Sequence, residues 1–408
     1  MRELRFLLFY INSVRFILFF AVSLVASASY GASLIGTDAL GMERAPQNAA
    51  IIKNGFFSQN PAVNAFENKT KFGAVIQYEY AEAQEGNSYA ISLNSFTTPS
   101  LSMILPLGFL GTLGIGLEQK YLANNRLELI DAALNSNVSL SSRVGIYEIV
   151  PSYSIRLPFF LNDFAVGASY RILFGNSYSS LVRGRDDSWD EYSWISNRIL
   201  ITKKESGSFE TNSDWWRNFG YSIHFHRKSV DYFVSYFPSI QVQKSIRENI
   251  QFSNTDTLQL AKRIEDFKLP ARFASGVHFC FWQNQNLSLI YEQQNFEETE
   301  FADAETQKSF FYFAEYRISG TGLYYSPFFA RNNFGANAWY AEKYLKDVKE
   351  YGASLFSDLW LGRRGTLLGL AFFGGYRQAK KPYWDEPFFG IKFSLTGVGN
   401  WGTSSRRK

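Results

Sequence analysis

Phe72-Gly73-Ala74-Val75-Ile76-Gln77-Tyr78-Glu79-Tyr80 decides the fold class. Every second position (Phe72, Ala74, Ile76, Tyr78, Tyr80) is apolar or aromatic, and Gly73, Val75, Gln77 and Glu79 stand between them. Side chains of a strand point alternately to opposite faces, so this is a strand between two unlike media. The same period runs through Phe164, Val166, Ala168, Tyr170, Ile172 and Phe174, through Phe219, Tyr221, Ile223 and Phe225, and through Phe389, Ile391, Phe393 and Leu395. A soluble sandwich and a membrane barrel both alternate in this way. Three features select the barrel. The segments run about ten residues, the length a tilted strand needs to cross a bilayer. Their second faces mix Gly, Ala and Ser with charges, as a crowded lumen does. Tyr and Trp recur near segment ends (Tyr78, Tyr80, Tyr121, Trp282, Tyr291, Trp360, Tyr376), where an interfacial girdle belongs.

Composition agrees. The 408 residues are 46% hydrophobic and 19% charged, with 39 Phe, 24 Tyr and 9 Trp, which excludes a disordered chain. A mean hydropathy of -0.17 excludes a helical membrane bundle. The net charge of +4 gives no argument for nucleic acid, and the single Cys280 excludes a disulfide framework. Residues 1–31 read as a secretory signal. Arg2, Arg5 and Arg15 precede the apolar Phe16 to Ala28, and Ala26-Ser27-Ala28 forms a cleavage site. Export with one thiol suits a bacterial envelope, and outer-membrane lipid is then the first expected partner.

Fourteen strands are expected between residues 72 and 395, near 72–81, 98–106, 111–121, 143–157, 163–174, 217–227, 230–242, 269–282, 286–294, 308–318, 321–331, 350–361, 366–377 and 386–395. Connections between them alternate short and long, as periplasmic turns and external loops do in outer-membrane barrels. The long ones include Leu122–Ser142, Gly175–Trp216, Lys244–Lys268 and Asn332–Lys349, with a short helix expected at Ala341–Glu350. Ser88–Phe96 and Ile195–Ile201 are strand-like as well, so sixteen strands are an alternative. Residues 396–408 are expected as a periplasmic tail.

Residues 32–71 have no clean period, yet Leu40, Met42, Ala49-Ala50-Ile51-Ile52 and Phe56-Phe57 should avoid water. The lumen of a wide barrel is a place to hide them, as a plug. Arg44-Ala45-Pro46, then Asn60-Pro61-Ala62, then Ala65-Phe66-Glu67-Asn68-Lys69 and a first barrel strand resemble the FadL-like outer-membrane proteins. That family includes long-chain fatty-acid transporters, aromatic-hydrocarbon channels and PorV-type secretion components. The chain departs from the family pattern at Gln47-Asn48-Ala49, where Gly-Gly-Ala is common, and at Val63-Asn64, where Gly-Leu is common.

The resemblance implies a hatch that closes a fourteen-stranded barrel and a hydrophobic ligand that leaves sideways at a kinked third strand. Asn60, Pro61 and Ala62 would face that gap, with Phe56 and Phe57 beside them. Gly114 and Gly116 would bend the third strand; the steric alternative is that they make room for the plug. Trp215 and Trp216 close a Trp-rich loop. They would capture ligand, dock a protein or sit in the interfacial belt.

His224, His226 and His278 share the inward parity, as do Glu118, Lys120, Arg171, Arg272, Glu315, Arg317 and Cys280. The three His are expected to be lumen residues with hydrogen-bond partners and not metal ligands. The charges are expected as ion pairs joining wall to plug. No nucleophile, His and acid set is recognisable, so no enzyme and no cofactor are expected. Two functions remain: a channel for passive uptake of hydrophobic small molecules such as long-chain fatty acids, and a PorV-like component binding secretion partner proteins, with a closed lumen. A general diffusion porin fits the hydrophobic plug poorly.

Overall fold

The computed structural model describes Thr37–Asp38 and residues 60–399, except 86–88, 98–99, 132–135, 158–162, 186–200, 212–214, 228, 253–256, 260–261, 283–284, 297–306, 320–332, 344–346, 362–365 and 381–382. The expected signal segment, most of the hatch including Phe56 and Phe57, and residues 400–408 lie outside the described residues.

The alternating stretches form a closed antiparallel barrel of fourteen strands. In chain order these are β1 (Thr70–Glu85), β2 (Tyr89–Thr97 and Ser100–Pro106), β3 (Thr112–Asp131), β4 (Ser136–Arg156) and β5 (Phe164–Tyr170 and Ile172–Arg185). Next come β6 (Ile201–Thr211 and Phe219–Arg227), β7 (Val230–Phe237 and Ile240–Phe252), β8 (Thr257–Gln259, Arg263–Leu269 and Arg272–Trp282) and β9 (Gln285–Asn295). The last are β10 (Lys308–Ser319), β11 (Asn333–Glu342), β12 (Val348–Leu361), β13 (Thr366–Lys380) and β14 (Tyr383–Gly399). β14 pairs back onto β1, from Thr70 with Gly399 to Gln84 with Asp385, and this closes the wall. The rim holding Thr70 and Gly399 is called proximal below, and the opposite rim distal.

The faces fall as the period requires. On β1, Lys71, Gly73, Val75, Gln77 and Glu79 are buried inward, while Phe72, Ala74, Ile76 and Tyr78 look out. Outward Tyr221, Ile223, Phe372, Phe389, Phe393 and Leu395 are exposed, the apolar band of a membrane-spanning barrel. Tyr291, Tyr312, Tyr340, Tyr351 and Tyr376 stand in register across β9 to β13 on this outer face. Their rings meet at centroid distances of 5.3, 6.2 and 5.6 Å for the 291–312, 312–340 and 351–376 pairs.

The inner face has its own repeated device. Phe233, Phe356, Trp339, Phe388 and Phe373 each stand directly opposite a glycine on the neighbouring strand: Gly276, Gly335, Gly352, Gly375 and Gly390. Phe237 lies over Gly220 in the same way. A Cβ at any of these six glycines would come within 3.0 Å of the ring it faces. The aromatic therefore lies flat on the wall instead of filling the lumen. Guanidinium groups cover three of the rings: Arg272 over Phe237 at 4.2 Å, Arg317 over Phe356 at 4.9 Å and Arg377 over Phe388 at 4.1 Å.

Two of those arginines carry buried ion pairs, and among the described residues these run from strand to strand where wall-to-plug bridges are expected. Arg377 binds Glu79 at 2.9 Å, Glu350 at 2.8 Å and Glu386, all on barrel strands. Arg317 pairs with Glu315 and Asp358, and Arg171 with Glu148. These networks join wall to wall, because the partners face one another across the inner surface.

Several strand boundaries differ from the sequence expectation. The expected strand at 321–331 lies outside the described residues, and the eleventh described strand is Asn333–Glu342. The expected helix at 341–350 is instead the end of β11, a turn through Asp347 at φ 63° and the start of β12. Much of the expected loops Leu122–Ser142, Gly175–Trp216 and Lys244–Lys268 is strand, extending β3 to β8 as a ladder toward the distal rim. Of the strand-like stretch Ser88–Phe96, the described part from Tyr89 belongs to β2, and the barrel has fourteen strands and not sixteen.

Candidate functional site

The hatch enters the barrel through a single helical turn, α1 (Pro61–Asn64), followed by Ala65, Phe66 and Glu67. Pro61 starts it because the first helical position has no use for an N–H and favours the fixed proline φ. Asn60 is 0% exposed, and Pro61 through Ala65 are buried as well. Four strands form the seat. The Ala62 N–H donates to Ser222 Oγ on β6 at 3.0 Å, and Ser222 Oγ reaches the Gly167 carbonyl on β5 at 3.4 Å. A Cβ at Gly167 would come 2.5 Å from Ala62 N and 2.9 Å from Pro61 C, so only glycine admits the hatch backbone there. Arg156 on β4 donates from Nε to the Ala65 carbonyl at 2.8 Å, and its guanidinium lies 4.5 Å over the Phe66 ring. Phe66 also contacts His224 and His226 at 5.1 and 5.3 Å between centroids. Lys71 reaches Glu67 at 2.7 Å. Burial pushes the Glu67 carboxyl up, and the Lys71 ammonium pulls it the other way. Both amide atoms of Asn60 and Oδ1 of Asn64 have no hydrogen-bond partner among the described residues.

Gly114 and Gly116 lie inside a paired wall. Gly114 stands between Ile104 and Ser152, and Gly116 between Ser102 and Val150. A Cβ on Gly114 would come 2.5 Å from Ser152 Oγ and 3.5 Å from Asn64 Nδ2, so this glycine makes room for the hatch. The interruption of β3 comes later. Its pairing with β4 slips by one residue between Gln119 and Tyr121, which leaves Lys120 as the extra residue of a bulge. β2 pairs with β3 through Ser100 and Glu118. Beyond that point Tyr89–Thr97 pairs with β1, and Thr37–Asp38 pairs with Tyr121 and Leu122 of β3.

Trp215 and Trp216 lie in a 3-10 turn, Trp215–Asn218, 70% and 50% exposed. Trp215 packs edge-on against outward Phe219 at 5.9 Å, which packs against Tyr170 at 5.1 Å. The pair thus belongs to the outer aromatic surface, far in chemistry from the hatch seat. Sequence reasoning did not find Arg156, Gly167, Ser222 or Asp231. Their signal was weak: small or charged residues at inward parity, of which the chain has many.

No protein-family model and no curated protein match this sequence. Solved structures do. A Pseudomonas aeruginosa FadL homologue aligns at TM-score 0.59 and 10% identity, covering 91% of this chain and 99% of that one. The CymD monoaromatic hydrocarbon channel aligns at 0.54 and 11% identity, covering 91% and 100%. The Pseudomonas putida toluene transporter TodX aligns at 0.54 and 11% identity, covering 93% and 97%. The barrel, its outward apolar band and the helical hatch turn against β3 to β6 thus have the fold of the FadL-like outer-membrane proteins.

Proposed function

We propose that this protein is an outer-membrane channel for the passive uptake of hydrophobic small molecules, with long-chain fatty acids and monoaromatic hydrocarbons as the substrate classes to test. The observation that carries the proposal is the interrupted wall at β3, where the bulge at Lys120 coincides with the end of β2 pairing and Thr37–Asp38 of the hatch pairs with Tyr121 and Leu122 instead. A bulge re-aims the backbone and ends regular pairing. An apolar solute in the lumen could leave there directly into lipid, and each CH2 it buries on the way contributes ~0.8 kcal/mol. The hatch turn stands behind the same wall, with Asn64 near Gly114 and Ser152. Asn60, Pro61, Ala62, Gly114 and Gly116 are the assigned lining, and Trp215 and Trp216 are reassigned to the membrane boundary.

A second reading, a PorV-like component with a closed lumen, draws support from the wholly buried Arg377 cluster and the inward aromatics. Proteoliposome flux separates the two. Purified protein should carry a fluorescent fatty acid or toluene into vesicles faster than empty vesicles do. Deleting Lys120 makes the β3–β4 ladder regular without exchanging faces, and should slow that flux while the barrel still assembles. Flux equal to empty vesicles would leave the closed-lumen reading standing.

A further inference from the structure

We infer that the proximal mouth carries a site for a divalent transition-metal ion, formed by His224 and His226 of β6 and Asp231 of β7. His224 and His226 are two apart on one strand and share its inward face; Asp231 stands directly opposite His226 in the β6–β7 ladder. One ligand atom from each residue lies within 4.8 Å of the others. His224 Nε2 is 3.7 Å from Asp231 Oδ1, and His226 Nδ1 contacts the same oxygen. Two ring nitrogens thus converge on one carboxylate.

His224 supplies the independent observation. It is 3% exposed, its Nδ1 has no partner among the described residues, and its Nε2 is beyond hydrogen-bond reach of Asp231. The expectation that each lumen His would have a hydrogen-bond partner is met by His226 through Asp231 and is incomplete for His224, whose Nδ1 has none among the described residues. It holds for His278, whose Nδ1 is 2.8 Å from Ser288 Oγ and whose Nε2 meets Cys280 Sγ at 3.7 Å. An imidazole taken out of water without partners is costly. The ring presents its other nitrogen, Nε2, to Asp231, so a cation between the two would be held by His224 Nε2 and the carboxylate.

Two imidazoles and one carboxylate suit Zn2+, Co2+, Ni2+ or Cu2+ and suit Mg2+ or Ca2+ poorly. Metal–ligand distances of about 2.0–2.2 Å in tetrahedral geometry set ligand atoms about 3.4 Å apart, so His226 Nδ1 must draw back from the Asp231 oxygen it contacts. The half-exposed His226 side chain has the freedom to do so. Three protein ligands leave a coordination position open to water. Two neighbouring charges act on the site in opposite directions: the Asp163 carboxylate favours a cation beside His226 and the Arg156 guanidinium opposes it. The Asp163 carbonyl accepts the His226 backbone N–H at 2.6 Å, and Phe66 stands between the histidines and the Arg156 guanidinium. Because Phe66 packs on both rings, an ion here would stiffen the surface on which the hatch rests.

The test is Co2+ titration of the purified, metal-stripped, untagged protein in detergent. A visible absorption band of tetrahedral intensity should saturate at one ion per chain and be displaced by Zn2+. His226→Gln and Asp231→Asn should each weaken binding at least about tenfold, while His278→Gln should leave it unchanged. No band, or equal binding by His226→Gln and Asp231→Asn, would overturn the site. If those variants fail to assemble, X-ray absorption of the Zn2+-loaded wild type decides: imidazole scatterers support the site, and oxygen ligands alone overturn it. The outcome is independent of whether the barrel carries hydrophobic solutes.

Discussion

Gly352→Ala tests the inner-face stacking at its most rigid member. Trp339 on β11 stands directly opposite Gly352 on β12 and is 5% exposed. Its indole Nε1–H donates to Glu350 at 2.9 Å. An added Cβ would come 2.7 and 2.8 Å from Trp339 Cε2 and Cη2, and closer to Cζ2. A fused ring cannot yield at one end, so the whole indole must move. Overpacking of this kind costs about 1–3 kcal/mol, and stretching a hydrogen bond to a charged group adds up to about 1.5. The backbone entropy saved by replacing glycine offsets roughly 0.5–1. The expected net loss is about 2 kcal/mol, more than a tenfold change in the folding equilibrium. Gly374→Ala is the internal control. Gly374 faces outward, and its Cβ would meet atoms no nearer than 3.3 Å, so its effect should stay within about 0.5 kcal/mol. Urea unfolding from lipid vesicles, followed by heat-modifiable gel migration, avoids using Trp339 as its own reporter. In a Trp339→Leu background the cost of Gly352→Ala should largely vanish, giving a coupling energy of about 1.5 kcal/mol. Equal midpoints for Gly352→Ala and wild type, or simple additivity with Trp339→Leu, would refute the stacking account.

Arg377→Met should cost about 3–5 kcal/mol, because it removes the guanidinium that the buried Glu79, Glu350 and Glu386 share, with Lys343 still beside Glu350. Glu386→Gln should cost distinctly less, and the ratio of folded to unfolded barrel after refolding compares them. Gly167→Ala pushes a methyl group into the Ala62 and Pro61 backbone. It should therefore displace the hatch without unfolding the wall, seen as raised single-channel conductance at a nearly unchanged unfolding midpoint. Conductance equal to wild type would show that the hatch does not rest on Gly167.

The lipid boundary is what made the fold legible. Where one face of a strand touches hydrocarbon, as at Phe72–Tyr80 or Phe389–Leu395, the period is strict and both strand and facing can be read. Beyond the membrane both faces of β3 to β8 lose that constraint. Ser136–Arg143 and Ile201–Thr211 therefore look like loop while pairing as strand. The eleventh strand was misplaced for a related reason. Gly322-Leu323-Tyr324-Tyr325 offers aromatic residues at a tight-turn spacing, but Phe334, Ala336, Ala338 and Tyr340 are the residues that pair outward against β10 and β12. Strict alternation leads the aromatic residues to be expected on the lipid face. A substantial part of the aromatic excess lies on inward glycines, and that pairing depends on cross-strand register, which no single stretch encodes. At the site, Asn60-Pro61-Ala62 was visible as a motif, but its partners Gly167, Ser222 and Arg156 come from three other strands.

The two sides of the barrel are held together by interactions of very different strength. From β9 through β14 to β1, stacked aromatics and the Arg317 and Arg377 clusters tie strand to strand, and removing any member leaves a buried charge or a void. On the hatch side, the described contacts of residues 60–67 include a backbone hydrogen bond to Ser222, one from Arg156, the Glu67–Lys71 ion pair and the ring contacts of Phe66. Each such bond contributes about 0.5–1.5 kcal/mol net. The same side contains the bulge at Lys120 and the breaks of β5 at Arg171 and of β7 at Pro238-Ser239. Arg171 bridges those breaks through its N–H to Asn218 and its Nη1 to Pro238. Low-energy opening follows the weakest contacts in a fold. The described contacts of the hatch turn are therefore the ones whose loss should leave the opposite wall, and the closed barrel, intact.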